Sequence, residues 1–385
     1  MTRMPDILVI GLGAVGSATL LHAAGRGASV LGIDRHAPPH AHGSTHGESR
    51  ITRLAIGEGA DYVPLVQRSH ALWRQLEAAS GRDLYRACGG LVLARAGTAS
   101  PMHGQASFFD STVAVARTHG IAHELLDARA IAARWPQFGL AGDERGYFEP
   151  AAGYVRPEAC VEAQLALARA RGAAVHTGER LLGWQHDAHG LRVDTDRATY
   201  RPGTTVVAAG AWLPGLLGAR GPALRVTRQV LHWFQPDIAA DYADTRFPIF
   251  IWNWGGGADE VFYGFPDLGG GVKVATETAT SCDPDRVDRI VSDAESAAMH
   301  ARHVAGRLRG VSARARHSAT CLYTEAPGAR FVIDRLGTRG PIIASACSGH
   351  GFKHSAAVGE ALAQWALGGA RPEVLAPFGT LGHGG

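Results

Sequence analysis

Residues 6–34 constrain this chain more than any other stretch. Asp6-Ile-Leu-Val-Ile10 is a short, uninterrupted apolar run, the pattern of a strand buried on both faces. It runs directly into Gly11-Leu-Gly13-Ala-Val-Gly16; a helix-like segment follows to Gly25, and Ser29-Val-Leu-Gly-Ile33 reads as a second strand ending on Asp34. Each glycine has a physical reason in such a unit. Gly11 makes the tight turn, Gly13 lets the backbone approach a pyrophosphate, and Gly16 lets helix and strand pack closely. The helix N-terminus offers its unpaired N–H groups to the anion. Asp34 falls 18 residues after Gly16, where a carboxylate accepts a ribose hydroxyl. Strand, turn, helix, strand and acid in register predict dinucleotide binding without separating a nicotinamide from a flavin. A secretory leader fits the same stretch poorly, because Asp6 and the glycines interrupt it.

The chain then departs from a plain nicotinamide domain. Arg35-His-Ala-Pro-Pro-His-Ala-His-Gly-Ser44 is rich in proline and histidine and reads as a loop. The next ten residues, Ser44 to Arg53, collect a hydroxyl, an imidazole (His46) and two guanidinium groups (Arg50 and Arg53), which a solvated turn would also explain. Composition narrows the classes further. A net charge of +3 with no basic run excludes an electrostatic nucleic-acid footprint. Five scattered cysteines without a C-x-x-C suggest neither a disulfide framework nor a zinc site, so no metal is expected and a reducing cytoplasm fits best. No apolar run is long enough for a membrane span. Of 38 basic residues only Lys273 and Lys353 are lysine, which raises the question of what arginine would not do at those places.

Four blocks carry a resemblance: Gly11 to Gly16, His42-Gly-Ser-Thr-His-Gly-Glu-Ser-Arg-Ile-Thr-Arg53, Ala319-Thr-Cys-Leu-Tyr-Thr324 and Ser348-Gly-His-Gly-Phe-Lys353. In this order, with Tyr263-Gly-Phe-Pro266 and Gly271-Val-Lys273 between them, they resemble the monomeric sarcosine oxidase and N-methyltryptophan oxidase family of FAD-dependent amine oxidases over nearly the whole length.

The resemblance implies FAD held covalently by a thioether to Cys321, where a buried inert cysteine is the ordinary alternative. Thiol reactivity needs positive potential, for which Arg314, Arg316 and His317 are the sequence neighbours. It implies that Lys273 holds a water near the flavin and promotes reaction with oxygen, a task for a compact ammonium that a planar guanidinium would fill differently. It implies that Arg53 and Lys353 bind a substrate carboxylate and that Arg50 lies against the flavin ring. Asp34, Ser44 and His46 match cofactor contacts, as do Gly210 and Trp212 after the buried strand beginning at Thr204, and Gly349 and Gly351. Lys353 would serve both cofactor and substrate.

Some residues depart from the family pattern. Glu277 stands where oxidases of simple N-methyl amino acids carry histidine, and either meets a polar or cationic group of a larger substrate or pairs with Lys273. Ile56 replaces a tyrosine, and Trp252 and Trp254 are expected near the pocket, while Tyr263 is kept.

The expected architecture is α/β (α+β overall): a discontinuous Rossmann-like FAD-binding domain from residues 1–85, 157–215 and 320–385, and a mainly antiparallel substrate domain from 86–156 and 216–319. The expected activity is oxidation of a secondary amino acid: hydride transfer to FAD, imine hydrolysis, and reoxidation by O2 to hydrogen peroxide. Catalytic candidates are Lys273, Arg50, Arg53, Lys353, Tyr263 and Glu277, acting in a cytoplasmic monomer. Alternatives are an oxidase of a cyclic or primary amino acid or larger amine, and an NAD-dependent dehydrogenase.

Overall fold

The computed structural model describes residues 4–218, 221–277 and 280–379, so the outer ends of the expected segments 1–85 and 320–385 lie outside the described residues. Ile7–Ile10 is the centre of a six-stranded sheet, fully buried along its length as its unbroken apolar run requires. The order is Val332–Arg335, Ile342–Ser345, Thr204–Val207, Ile7–Ile10, Val30–Asp34, Ala174–Thr177; all pairs are parallel except the first. Helix Ala14–Ala24 packs against helices Pro157–Ala170 and Ser355–Ala366. The contact with the latter is close enough that a Cβ on Gly359 would meet the Ala18 Cβ at 2.4 Å. Polar residues on the covered helix find partners: Ser17 Oγ donates to Gln164 Oε1 at 2.7 Å.

A nine-stranded sheet, counted among the described residues, forms the second layer. Its long strands Arg225–Pro236 and Val311–Glu325 pair antiparallel along almost their full length, with Gln229 opposite Cys321. Val272–Ala275, Val261–Asp267, Ile249–Asn253, Gly90–Arg95 and Glu144–Glu149 continue it, and only the pairing of Ile249–Asn253 with Gly90–Arg95 is parallel. The fold is thus α/β with a parallel cofactor-type sheet and a mainly antiparallel second sheet, as the sequence leads one to expect. Strand Val272–Ala275 alternates between two surroundings. Val272 and Val274 face an aromatic core with Phe138, Phe250 and Phe262, whereas Lys273 and Ala275 face the opposite way. A small sheet of Arg50–Thr52, Gly153–Val155 and Tyr85–Arg86 carries the segment after the proline-rich loop. Among the described residues no helix is long and apolar enough to cross a membrane.

Candidate active site

At the end of Ile7–Ile10 the chain turns through Gly11 at φ 83°, a conformation that costs glycine nothing. A Cβ on Gly16 would lie 1.7 Å from the Gly11 carbonyl oxygen, so helix and strand meet at a distance only glycine permits. Helix Ala14–Ala24 has Gly13 at its N-cap, which offers no side chain; Thr45 Oγ1 accepts from the Ala14 N–H at 3.3 Å, and the start of the helix borders a cavity of about 450 Å³. Gly11, Gly13, Asp34, Ser44, Arg50, Gly210, Trp212, Gly349 and Gly351 all line that cavity. Asp34 is buried and accepts from the Leu12 N–H at 2.7 Å and the His36 N–H at 2.8 Å. Burial would raise its pKa, but His40 and these two N–H groups hold it below the usual carboxylate value. A glycine turn, a helix start and an ionised acid in one cavity fit a dinucleotide. One rim is fastened by Asp285, which accepts from Trp212 Nε1 at 2.8 Å and pairs with Arg35 at 2.9 Å.

A smaller cavity of about 60 Å³ adjoins the first, sharing Arg50, Tyr323, Gly349 and Phe352. Into it the fold brings the predicted Arg53, Tyr263, Lys273, Glu277 and Lys353 from four separate stretches of chain. Lys273 is buried, and its Nζ donates to Gly47 O at 2.7 Å, Ser49 O at 2.7 Å and Ser49 Oγ at 2.8 Å. Tyr263 and Tyr323 share a hydroxyl hydrogen bond of 2.9 Å, and burial pushes both phenols above their usual range. Cys321 is buried beside Arg50, whose Nη2 lies 3.4 Å from its Sγ and donates to Ser44 O at 2.8 Å. His46 is buried nearby and does not line either cavity; burial and the adjoining Arg50 lower its pKa to about 3, so it is neutral.

Sequence reasoning missed the acid at the centre of the smaller cavity. Glu58 lies 2.6 Å from Arg53 Nη2 and 3.2 Å from Lys353 Nζ. His103 links it to Glu277, with Nδ1 3.3 Å from Glu58 Oε1 and Nε2 3.0 Å from Glu277 Oε2. Burial opposes the charge on Glu58, but Arg53, Lys353 and His103 outweigh it and hold its pKa well below the usual carboxylate range. Burial likewise opposes the charge on His103, and its two carboxylate neighbours overcome it, raising the pKa to about 9. Lys353 goes the other way: burial, with Arg53 adding to it and Glu58 resisting, lowers it to about 8. The one available signal for Glu58 was its place five residues after Arg53; His103, in a short turn with φ 47°, carried none.

Three expectations are corrected, and one of the two alternatives for Glu277 is removed. Glu277 pairs with His103, not with Lys273, whose ammonium is taken up by the Gly47–Ser49 turn. The positive group at Cys321 is Arg50, while Arg314, Arg316 and His317 are exposed along the edge of their strand. Trp252 and Trp254 do not line the pocket. Ile251 is paired with Tyr263 and shares its face toward the cavity, which turns Trp252 into the aromatic core and leaves Trp254 against His303 and Arg307. Ile56 is completely buried in the core and lines neither cavity.

The chain matches the model of the family described as FAD dependent oxidoreductase over residues 6–365. It is 37% identical to a monomeric sarcosine oxidase of Streptomyces avermitilis, with 98% of this chain and 97% of that protein covered. It is 31% identical to an N-methyl-L-tryptophan oxidase of Salmonella newport, with 97% of each covered. Among solved structures it is similar to the open form of NikD, described as an unusual amino acid oxidase essential for nikkomycin biosynthesis, with a TM-score of 0.84, 26% identity and 98% of each chain covered. A glycine-turn cavity joined to a cation-lined pocket, in a chain with these full-length relatives, has one consistent assignment: the chain belongs to the FAD-dependent oxidoreductase family.

Proposed function

We propose that this protein is an oxidase of a small amino acid bearing a secondary amine, of the sarcosine kind, with its FAD joined to Cys321 as a thioether. The observation that carries the reading is the placement of Arg53 and Lys353 together in a small cavity that opens onto the dinucleotide cavity. The chemistry that bound FAD supplies is removal of a hydride from the carbon beside the amine and return of two electrons to oxygen as hydrogen peroxide.

The protein's own part is to bind, orient and supply charge. Arg53 and Lys353 hold the substrate carboxylate, which fixes the reacting C–H bond and converts binding into orientation. Below about pH 8 the connected group contains three cations, Arg53, Lys353 and His103, against the two carboxylates Glu58 and Glu277. A single substrate carboxylate completes that balance. Leu231, Ile251 and Phe265 supply apolar wall, and a space of about 60 Å³ favours a small side chain over an indole. Lys273, in its protonated form, offers positive charge to oxygen as it gains electrons. Cys321 lies against the Arg50 guanidinium, which places a fixed positive charge beside the sulfur that attachment would use.

A peroxide-coupled panel of sarcosine, N-methyl-L-tryptophan, proline and glycine tests the reading. The expected order has sarcosine ahead of N-methyl-L-tryptophan by at least about tenfold in kcat/KM, the scale on which a pocket rejects an oversized group. Proline or glycine ahead of sarcosine would shift the assignment to a cyclic or primary amino acid; no peroxide from any of them would remove it.

A further inference from the structure

The buried lysine is connected to an acid by a single peptide unit. Glu158 stands in the first turn of helix Pro157–Ala170, where a carboxylate is favoured by the helix dipole. Its Oε1 accepts from the Gly47 N–H at 2.6 Å and from the Glu48 N–H at 3.2 Å. The carbonyl of the peptide whose N–H belongs to Glu48 is that of Gly47, and it accepts from Lys273 Nζ at 2.7 Å. Carboxylate, peptide and ammonium therefore form one hydrogen-bonded line. A carboxylate at the N–H end polarises the peptide and makes its carbonyl a stronger acceptor.

The turn is shaped for this purpose at some conformational cost. Gly47 has φ 92° and Glu48 φ 68°, and a non-glycine residue there needs support from outside the turn. With that support, Gly47 O, Ser49 O and Ser49 Oγ converge on one nitrogen, and three oxygen acceptors match the three N–H groups of an ammonium.

We propose that Glu158 is a positioning residue for Lys273: acting through the Gly47–Glu48 peptide, it fixes the place of the ammonium and keeps it charged. The proposal rests on the reading of Lys273 as the cation that serves oxygen. The charged groups around Lys273 are Arg50, which opposes its charge, and Glu158 and Glu48, which favour it; the Phe265 and Trp233 rings lie 4.1 and 5.5 Å from Nζ. Burial and Arg50 push the lysine well below its usual pKa, so the acids that resist this decide whether the ammonium persists.

Because the chain contains only two lysines, 13Cε-lysine labelling of the holoenzyme gives two resonances, assigned by Lys273→Met. In Glu158→Gln the Lys273 titration midpoint is expected to fall by about one pH unit, the scale of a partly buried charge several ångströms away, while Lys353 stays in place. Stopped-flow reoxidation of the reduced enzyme should slow about tenfold above the new midpoint and recover at lower pH, with the substrate-reduction step unchanged. Glu158→Asp, which keeps the charge, should leave the midpoint nearer to wild type than Glu158→Gln does. An unmoved Lys273 midpoint in Glu158→Gln, or equal displacement in both variants, overturns the proposal. A lowered midpoint with unaltered reoxidation supports the positioning role and instead removes Lys273 from oxygen chemistry.

Discussion

Lys353 Nζ lies 3.2 Å from Glu58 Oε1, although the two residues stand 295 positions apart in the chain. The acid keeps a buried lysine charged in the range where a carboxylate has to be held. Since the Lys353 pKa is lowered to about 8, the cation is present below that pH and lost as pH rises through it. Binding of a small competitive carboxylate should therefore weaken above about pH 8. In Glu58→Gln the lysine loses the anion that resists burial, so this alkaline limb should move to lower pH. Inhibition constants measured from pH 6 to 10 decide the matter, and a limb that stays in place would show that Glu58 does not govern Lys353.

His103 should make stability depend on pH. Its pKa is raised from 6.5 to about 9 in the folded protein, so its contribution is complete below 6.5 and disappears as pH climbs through 9. Thermal unfolding should show a loss on the order of 3 kcal/mol across that window, with His103→Gln flattening the profile and lowering its acid end. An equally steep profile in the variant would assign the pH dependence elsewhere.

Attachment at Cys321 has a direct readout. On a denaturing gel, flavin fluorescence should travel with the wild-type chain and be absent from Cys321→Ser, which should still bind FAD through the glycine turn and the 450 Å³ cavity. Fluorescence retained in the variant would place the link on another residue, and none in wild type would mean that the cofactor is held without one.

Gly16→Ala should be among the most damaging small substitutions. Its methyl would sit 1.7 Å from the Gly11 oxygen, a backbone atom that cannot move aside without opening the cofactor turn. Overpacking of this kind costs about 3 kcal/mol, and FAD retention on gel filtration should fall along with the melting temperature. A variant that keeps its FAD would show that the turn is more compliant than its geometry implies.

What could be read in advance was local in sequence. The glycine turn, its flanking strands and Asp34 form one unit of fewer than 30 residues, so periodicity and spacing suffice to place them. The face taken by Lys273 is local in the same sense, because it follows from alternation with Val272 and Val274. Glu58 and His103 were missed because their importance comes from partners up to 295 residues away, which no spacing rule anticipates. Trp252 was misplaced for a related reason. Its face is set by the register of Ile251 with Tyr263 on the next strand, and register is a tertiary fact even when each strand is recognisable alone.

The strand Val311–Glu325 belongs to the nine-stranded sheet, whereas the glycine turn follows a strand of the six-stranded one. A flavin bonded to Cys321, as proposed above, would therefore tether the two layers, held covalently at one end and by the glycine turn at the other. The substrate cavity sits along the seam that this tether spans. If the thioether forms, loosening the contact between these two sheets would be felt by the cofactor as well as by the substrate cavity.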